Sequence, residues 1–166
     1  ALYKHYTGKQ EILDQIAARM NEMDYERAAE YDMPETEPGG FAEAYIHTPT
    51  EKIRVYSRAQ FDHWTREEFP ANFRRMLTLE QYRDEKLARL YQDYLAAGPV
   101  EYMAAIFRKL TDSDKAAMQL ALDFYGPVFL LYSVYDGAED KEAVETLLDE
   151  HIGRFIAKVE AEYKKP

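Results

Sequence analysis

The residues best suited to chemistry stand at the start of the chain, in "LYKHYTGKQ". Tyr3, Lys4, His5, Tyr6 and Lys9 place two lysines, a histidine and two tyrosines within seven positions, and the first ten residues hold no carboxylate. This set suits contact with phosphate: the ammonium groups supply charge, and phenol and imidazole tips donate hydrogen bonds. Thr7 and Gln10 have the spacing of a capping box, which predicts a helix start and puts Lys9 in its first turn. A cation there opposes the helix dipole, unless an anion binds at the free backbone N–H groups of that turn. A solvated helix start with an aromatic anchor explains the same residues without a ligand.

A second set is apolar. Phe61, Trp64, Met76, Met103, Phe107, Phe124 and Tyr125 fall on different predicted helices, where they either line a shared pocket or fill the core. Asp123 joins the set because it stands between Leu122 and Phe124 in a nearly all-apolar stretch. A buried carboxylate there needs a basic partner or a polar ligand; otherwise it sits on an exposed edge. His151 lies on the apolar stripe of the last helix, as expected of a satisfied interface or core histidine.

Catalytic signatures are missing. His5, His47, His63 and His151 stand in no His-Glu-x-x-His or Glu-x-x-His sequence, so no helical metal box is expected. There is no G-x-S-x-G, no phosphate-binding glycine loop and no cysteine. No enzyme activity, metal or cofactor is therefore expected, and the many carboxylates read as a solvated surface.

The elements that must carry these residues are helical. Apolar residues recur at helical spacing and no run of strict alternation stands out, which predicts an all-α bundle. A stub over 1–6 is followed by a helix from about 7, which ends in "YDMPETEPGG". Thr48, Pro49 and Glu51 predict a helix from 48 to about 68, with Thr48 as cap. Further helices are expected from Pro70, from Asp84, and after "AAGPV", where Gly98 fits a left-handed helix end and Pro99 opens the next helix. "AAMQLALDFYGPVFLLYSVY" predicts a kink at Gly126-Pro127. Its charge-free core, 124–135, is shorter than the ~20 residues of a membrane span, so no membrane is expected and the helix should be buried on most sides. Asp136 and Glu139 form a cap-like pair before a last helix over about 138–164.

Charge divides the same way. The chain carries −10 overall, its first ten residues +2, and the remainder −12. An acidic bulk repels DNA, so any DNA contact belongs to the N-terminal end. The absence of cysteine excludes a disulfide framework and is compatible with a reducing cytoplasm. Fourteen tyrosines beside one tryptophan favour pocket walls and interfaces, where an apolar ring can keep a wet hydroxyl.

The stretch "ALYKHYTGKQEILDQI" resembles the end of the helix-turn-helix of TetR-family transcriptional regulators. Ala1, Leu2, Tyr3, His5, Tyr6, Gly8, Lys9 and Leu13 match that family's pattern, over about 16 residues of this chain. The resemblance implies an incomplete helix-turn-helix and connecting helix over 1–28, with its first helices before Ala1, and a ligand-binding and dimerisation domain over 41–166. Tyr3, Lys4 and His5 would face the major groove or its backbone, while Tyr6 and Lys9 would contact phosphates. Phe61, Trp64, Met76, Met103, Phe107, Asp123, Phe124 and Tyr125 would contribute an effector pocket. The two long terminal helices would build a homodimer through Leu131, Tyr135, Leu148, His151, Ile152, Phe155 and Val159. The function implied is a cytoplasmic repressor that leaves a palindromic operator in double-stranded DNA when a small molecule binds. A helical protein-interaction module, or an enzyme using the same cavity, are the other readings of these residues.

Overall fold

The computed structural model describes residues 8–34 and 40–163. Among these residues every regular element is an α-helix, and none lies in a strand. The chain divides into two compact units, Ala1–Glu35 and Thr36–Pro166. The first holds one described helix, α1 (Lys9–Glu30). The second holds seven: α2 (Phe41–His47), α3 (Thr50–Arg66), α4 (Glu68–Glu80), α5 (Glu85–Leu95), α6 (Ala97–Phe107), α7 (Asp114–Gly137) and α8 (Lys141–Tyr163). The expected stub over 1–6 lies outside the described residues.

In the first unit, α1 has Gly8 rather than Thr7 at its N-cap, with no side-chain cap, so the helix starts one residue later than the capping box predicts. Its end is set by Asp32, held in the left-handed region at φ 49°. Asp32 N–H reaches the Ala29 carbonyl and Met33 N–H reaches the Ala28 carbonyl, both at 2.9 Å. This is the paired bonding of a Schellman ending, with aspartate where glycine is usual.

In the second unit, three helices begin where a short polar side chain can satisfy the free N–H groups of the first turn. The Asp84 carboxylate accepts from Lys86 N at 2.8 Å and Leu87 N at 3.2 Å. Ser113 accepts from Ala116 N at 3.2 Å, and Asp140 from Ala143 N at 3.0 Å. Two expected caps act otherwise. Thr48 closes α2, a helix that the sequence reading does not predict, by donating to the Ala44 carbonyl at 2.9 Å; Pro49 takes the N-cap of α3. Asp136 does not cap α8: both its oxygens face Arg74 and Arg75 on α4.

Gly98 has a different job from the one expected. The chain breaks at Ala96, and Gly98 lies in the first turn of α6. A Cβ there would run into the backbone of Asp93, 2.7 Å from its carbonyl carbon. Glycine is needed so that α5 and α6 can meet closely, not for a positive φ.

α7 runs unbroken past Pro127 for 24 residues. Proline offers no N–H to the carbonyl four residues back. The adjacent Phe124 carbonyl faces α8, where His151 Nε2 lies 2.8 Å away and serves as its donor. The helix packs on α6 and α8, while α3 packs on α4, α7 and α8. Only one face of α7 is buried, by Ala117, Leu120, Ala121, Tyr125, Val128, Tyr132 and Tyr135. Leu122, Phe129, Leu130 and Val134 are exposed, which corrects the expectation of burial on most sides. By length and composition alone α7 also meets the requirement for a membrane span.

Two ion networks fasten the bundle. Arg74, almost fully buried, lies over the Tyr132 ring, donates to the Trp64 carbonyl at 2.9 Å and holds both oxygens of Asp136 at 2.8 Å. Arg75 reaches the same carboxylate at 2.7 Å. On α8, the buried Glu145 lies between Arg58 at 2.6 Å and Arg66 at 3.0 Å, both on α3. Each carboxylate is thus compensated twice, as a charge taken out of water requires.

Candidate functional site

Of the N-terminal residues singled out for DNA contact, Tyr3, Lys4, His5 and Tyr6 lie outside the described residues. Lys9 is the first residue of α1 and is exposed. The first N–H groups of α1 have no carbonyl within the helix, and with Lys9 they form one positive end. Glu11 stands in the same turn and offsets part of that charge.

The apolar set does not converge on one point. Phe61 stacks on Tyr132 at 5.3 Å and meets Tyr135 edge-on. Trp64 packs with Phe73 and Tyr94, which touch each other at 5.1 Å. These rings lie among α3, α4, α5 and α7. Phe107 and Phe124 instead join Phe155, Leu120 and Val159 among α6, α7 and α8. Tyr125 sends its hydroxyl to the Leu95 carbonyl at 2.7 Å, and burial pushes its ionisation well above the ordinary phenol range. Met76 and Met103 are half-buried.

Asp123 is exposed and ion-paired with Lys158 at 3.0 Å, which ties α7 to α8. Its place among apolar neighbours in sequence is the solvent edge of a helix, where it has a basic partner. That pairing holds the Lys158 ammonium above its usual range.

The residues expected at a dimer contact are mostly interior. Tyr135, Leu148, Ile152, Phe155 and Val159 are buried within the single chain. Leu131 and His151 are half-buried, and the His151 ring lies between Phe124 and Phe155. Periodicity marks α7 and α8 as apolar but cannot say which stripe meets the chain's own core.

Two small groups of hydroxyls, which sequence reasoning did not single out, lie apart in the chain: Tyr45 and Tyr102 between α2 and α6, and Tyr56 with the Gln60 amide on α3. Tyr45 donates its hydroxyl hydrogen bond to Tyr102, whose ring stacks under Phe41 at 4.9 Å. Tyr56 is near enough to Tyr102 to raise its ionisation further. Burial is the first cause of the shifts: Tyr102 is pushed up to about 12 and Tyr45 higher still, so both stay neutral near pH 7. Gln60 Nε2 donates to the Tyr56 hydroxyl at 2.6 Å. Its other end, Oε1, is buried and meets no hydrogen-bond partner among the described residues. Turning the amide over exchanges nitrogen for oxygen and leaves the same deficit. A buried polar group in that condition costs about 1–3 kcal/mol. The Tyr56–Gln60 pair is one helical turn apart and can be found in sequence.

No three His, Asp or Glu side chains come together as a metal site among the described residues. Compared with family models, with curated proteins and with solved structures, the chain matches none.

Proposed function

We propose that the chain is the effector-binding and dimerising part of a DNA-binding transcriptional regulator of the TetR type, with the tail of its recognition helix at the N-terminus. The observation that carries this reading is the stretch "ALYKHYTGKQEILDQI", in which basic and hydroxyl-bearing residues keep the family's spacing. An all-α second unit with two long packed helices at its end, α7 and α8, is the kind of body such a regulator uses. The acidic remainder of the chain favours confining DNA contact to that N-terminal end.

Repression follows from geometry. Two copies hold two recognition helices one DNA turn apart, about 34 Å, and a small molecule that binds the DNA-incompetent arrangement better shifts the population away from the operator. The second copy is best placed on the exposed stripe of α7, through Leu122, Phe129, Leu130 and Val134. In this reading the protein acts in the cytoplasm.

The test is a binding titration of the full-length gene product on DNA from its own promoter, at several salt concentrations. Lys9→Ala should weaken binding. If each copy loses one phosphate contact, the slope of log affinity against log salt should fall by about 2. An unchanged slope removes Lys9 from the interface, and no retardation of any promoter fragment contradicts the reading.

A further inference from the structure

We infer that a second copy of the chain lays its α7 across this one at Gly126, so that the two helix backbones meet there about a two-fold axis and Leu122 and Leu130 of both copies close around the crossing. This inference rests on the reading in which a second copy covers the exposed stripe of α7, and names where and how closely the two copies meet.

The glycine itself is the first support. Gly126 lies well inside α7 and is exposed. Glycine weakens a helix interior, so its place there needs a reason. The other described glycines have one. Gly8 and Gly40 are N-caps, and Gly137 ends α7. A Cβ on Gly98 would strike the Asp93 backbone, and one on Gly153 would lie 3.1 Å from Arg54 Nη1. At Gly126 a Cβ would meet nothing within 4 Å, so no other part of the chain fills the space that the missing side chain leaves. Pro127 is a competing local reason, because a proline ring crowds the residue before it in a helix.

Position is the second. Leu122 and Leu130 stand one turn to either side of Gly126, Phe129 lies three residues after it, and all three are exposed. The gap has apolar walls and a backbone floor. Such a shape admits another helix more closely than the about 8–10 Å between axes when side chains pack on side chains. Charge is the third. The chain carries −10, so two copies repel and their contact must avoid setting like charges opposite each other. Residues 124–135 hold no charged side chain, and Asp123 before them is paired with Lys158 at 3.0 Å. A basic partner would gain no ion pair here, and the acidic chain repels an anionic lipid surface. A second copy presents the same uncharged face, and a two-fold axis sets that face against itself.

Sedimentation of the purified chain over a range of concentrations, without DNA, tests the inference when Gly126→Leu is run beside the wild type. Leucine enlarges the apolar face and favours the helix, so it should tighten a contact that merely covers the stripe. At a backbone crossing it should instead weaken dimerisation by about 10-fold or more, with helicity retained. Should that variant fail to fold beside Pro127, Pro127→Ala and the double variant Gly126→Leu/Pro127→Ala replace the pair, and the same loss is expected between them. Removing the proline also removes the local reason for the glycine. Gly126→Cys, in a chain with no other cysteine, should cross-link two copies on mild oxidation, since a disulfide needs Cα atoms about 4.4–6.8 Å apart. Tyr82→Cys, at a residue that is 90% exposed, reports chance collision. A dimer unchanged or tightened by leucine, or cross-linking no faster at 126 than at 82, would overturn the crossing and leave the covered stripe and operator binding standing. A wild-type monomer at all concentrations would remove the second copy, and the crossing with it.

Discussion

Asp136 shows how one carboxylate can decide the fit of two helices. Burial pushes its ionisation up, but hydrogen bonds from Arg75 and Arg74, together with their charges, outweigh that and hold it below the usual carboxylate value. A depressed value contributes stability that is complete above the unfolded range, near pH 4, and is lost as pH falls through the folded value. Asp136→Asn should therefore flatten the acid limb of a urea-midpoint-versus-pH curve. It should also cost about 3 kcal/mol at neutral pH, because the buried Arg74 guanidinium loses its charge partner. Gly98 is the second single-residue test. Gly98→Ala forces a methyl group into the Asp93 backbone. We expect a loss of at least about 2 kcal/mol in urea unfolding, since neither helix backbone can yield cheaply. Neither residue's role is readable in the sequence. Gly98 next to Pro99 looks like a helix stop, and nothing local pairs Asp136 with an arginine about sixty positions earlier.

At the scale of elements, helix starts were the most readable feature. Asp84 sits where a cap is wanted, and its carboxylate accepts from two backbone N–H groups. Asp84→Ala should cost about 1 kcal/mol, read from the urea midpoint, with little change in helicity elsewhere. Where helix ends depart from the sequence pattern, one physical cause is at work. Thr48 and Asp136 have the chemistry of caps, but a hydroxyl or carboxylate goes to whichever partner tertiary packing brings nearest. Thr48 turned back to Ala44, and Asp136 crossed to α4. α2 is not legible in the sequence, because seven residues between two breaks carry too short a pattern to show a stripe. That Phe61 and Phe107 belong to two separate ring groups is hidden for a related reason: spacing gives the face of a helix but not the neighbour opposite it.

The whole molecule poses the question of partners. α7 buries one face in its own chain and leaves the other apolar and exposed, with Leu130 at 63% exposure. On the proposed function a second copy covers that stripe. Leu130→Asp should then turn a dimer into a folded monomer in analytical ultracentrifugation, with helicity retained. A wild-type monomer at all concentrations would remove the dimer. Whether two copies read a symmetric operator through the N-terminal stretch is decided by selecting binding sites for the full-length gene product from a pool of random DNA duplexes. Enrichment of one palindrome whose half-sites are centred about one helical turn apart is the expected result. A pool that stays random after repeated rounds, or converges on a single asymmetric half-site, would contradict it.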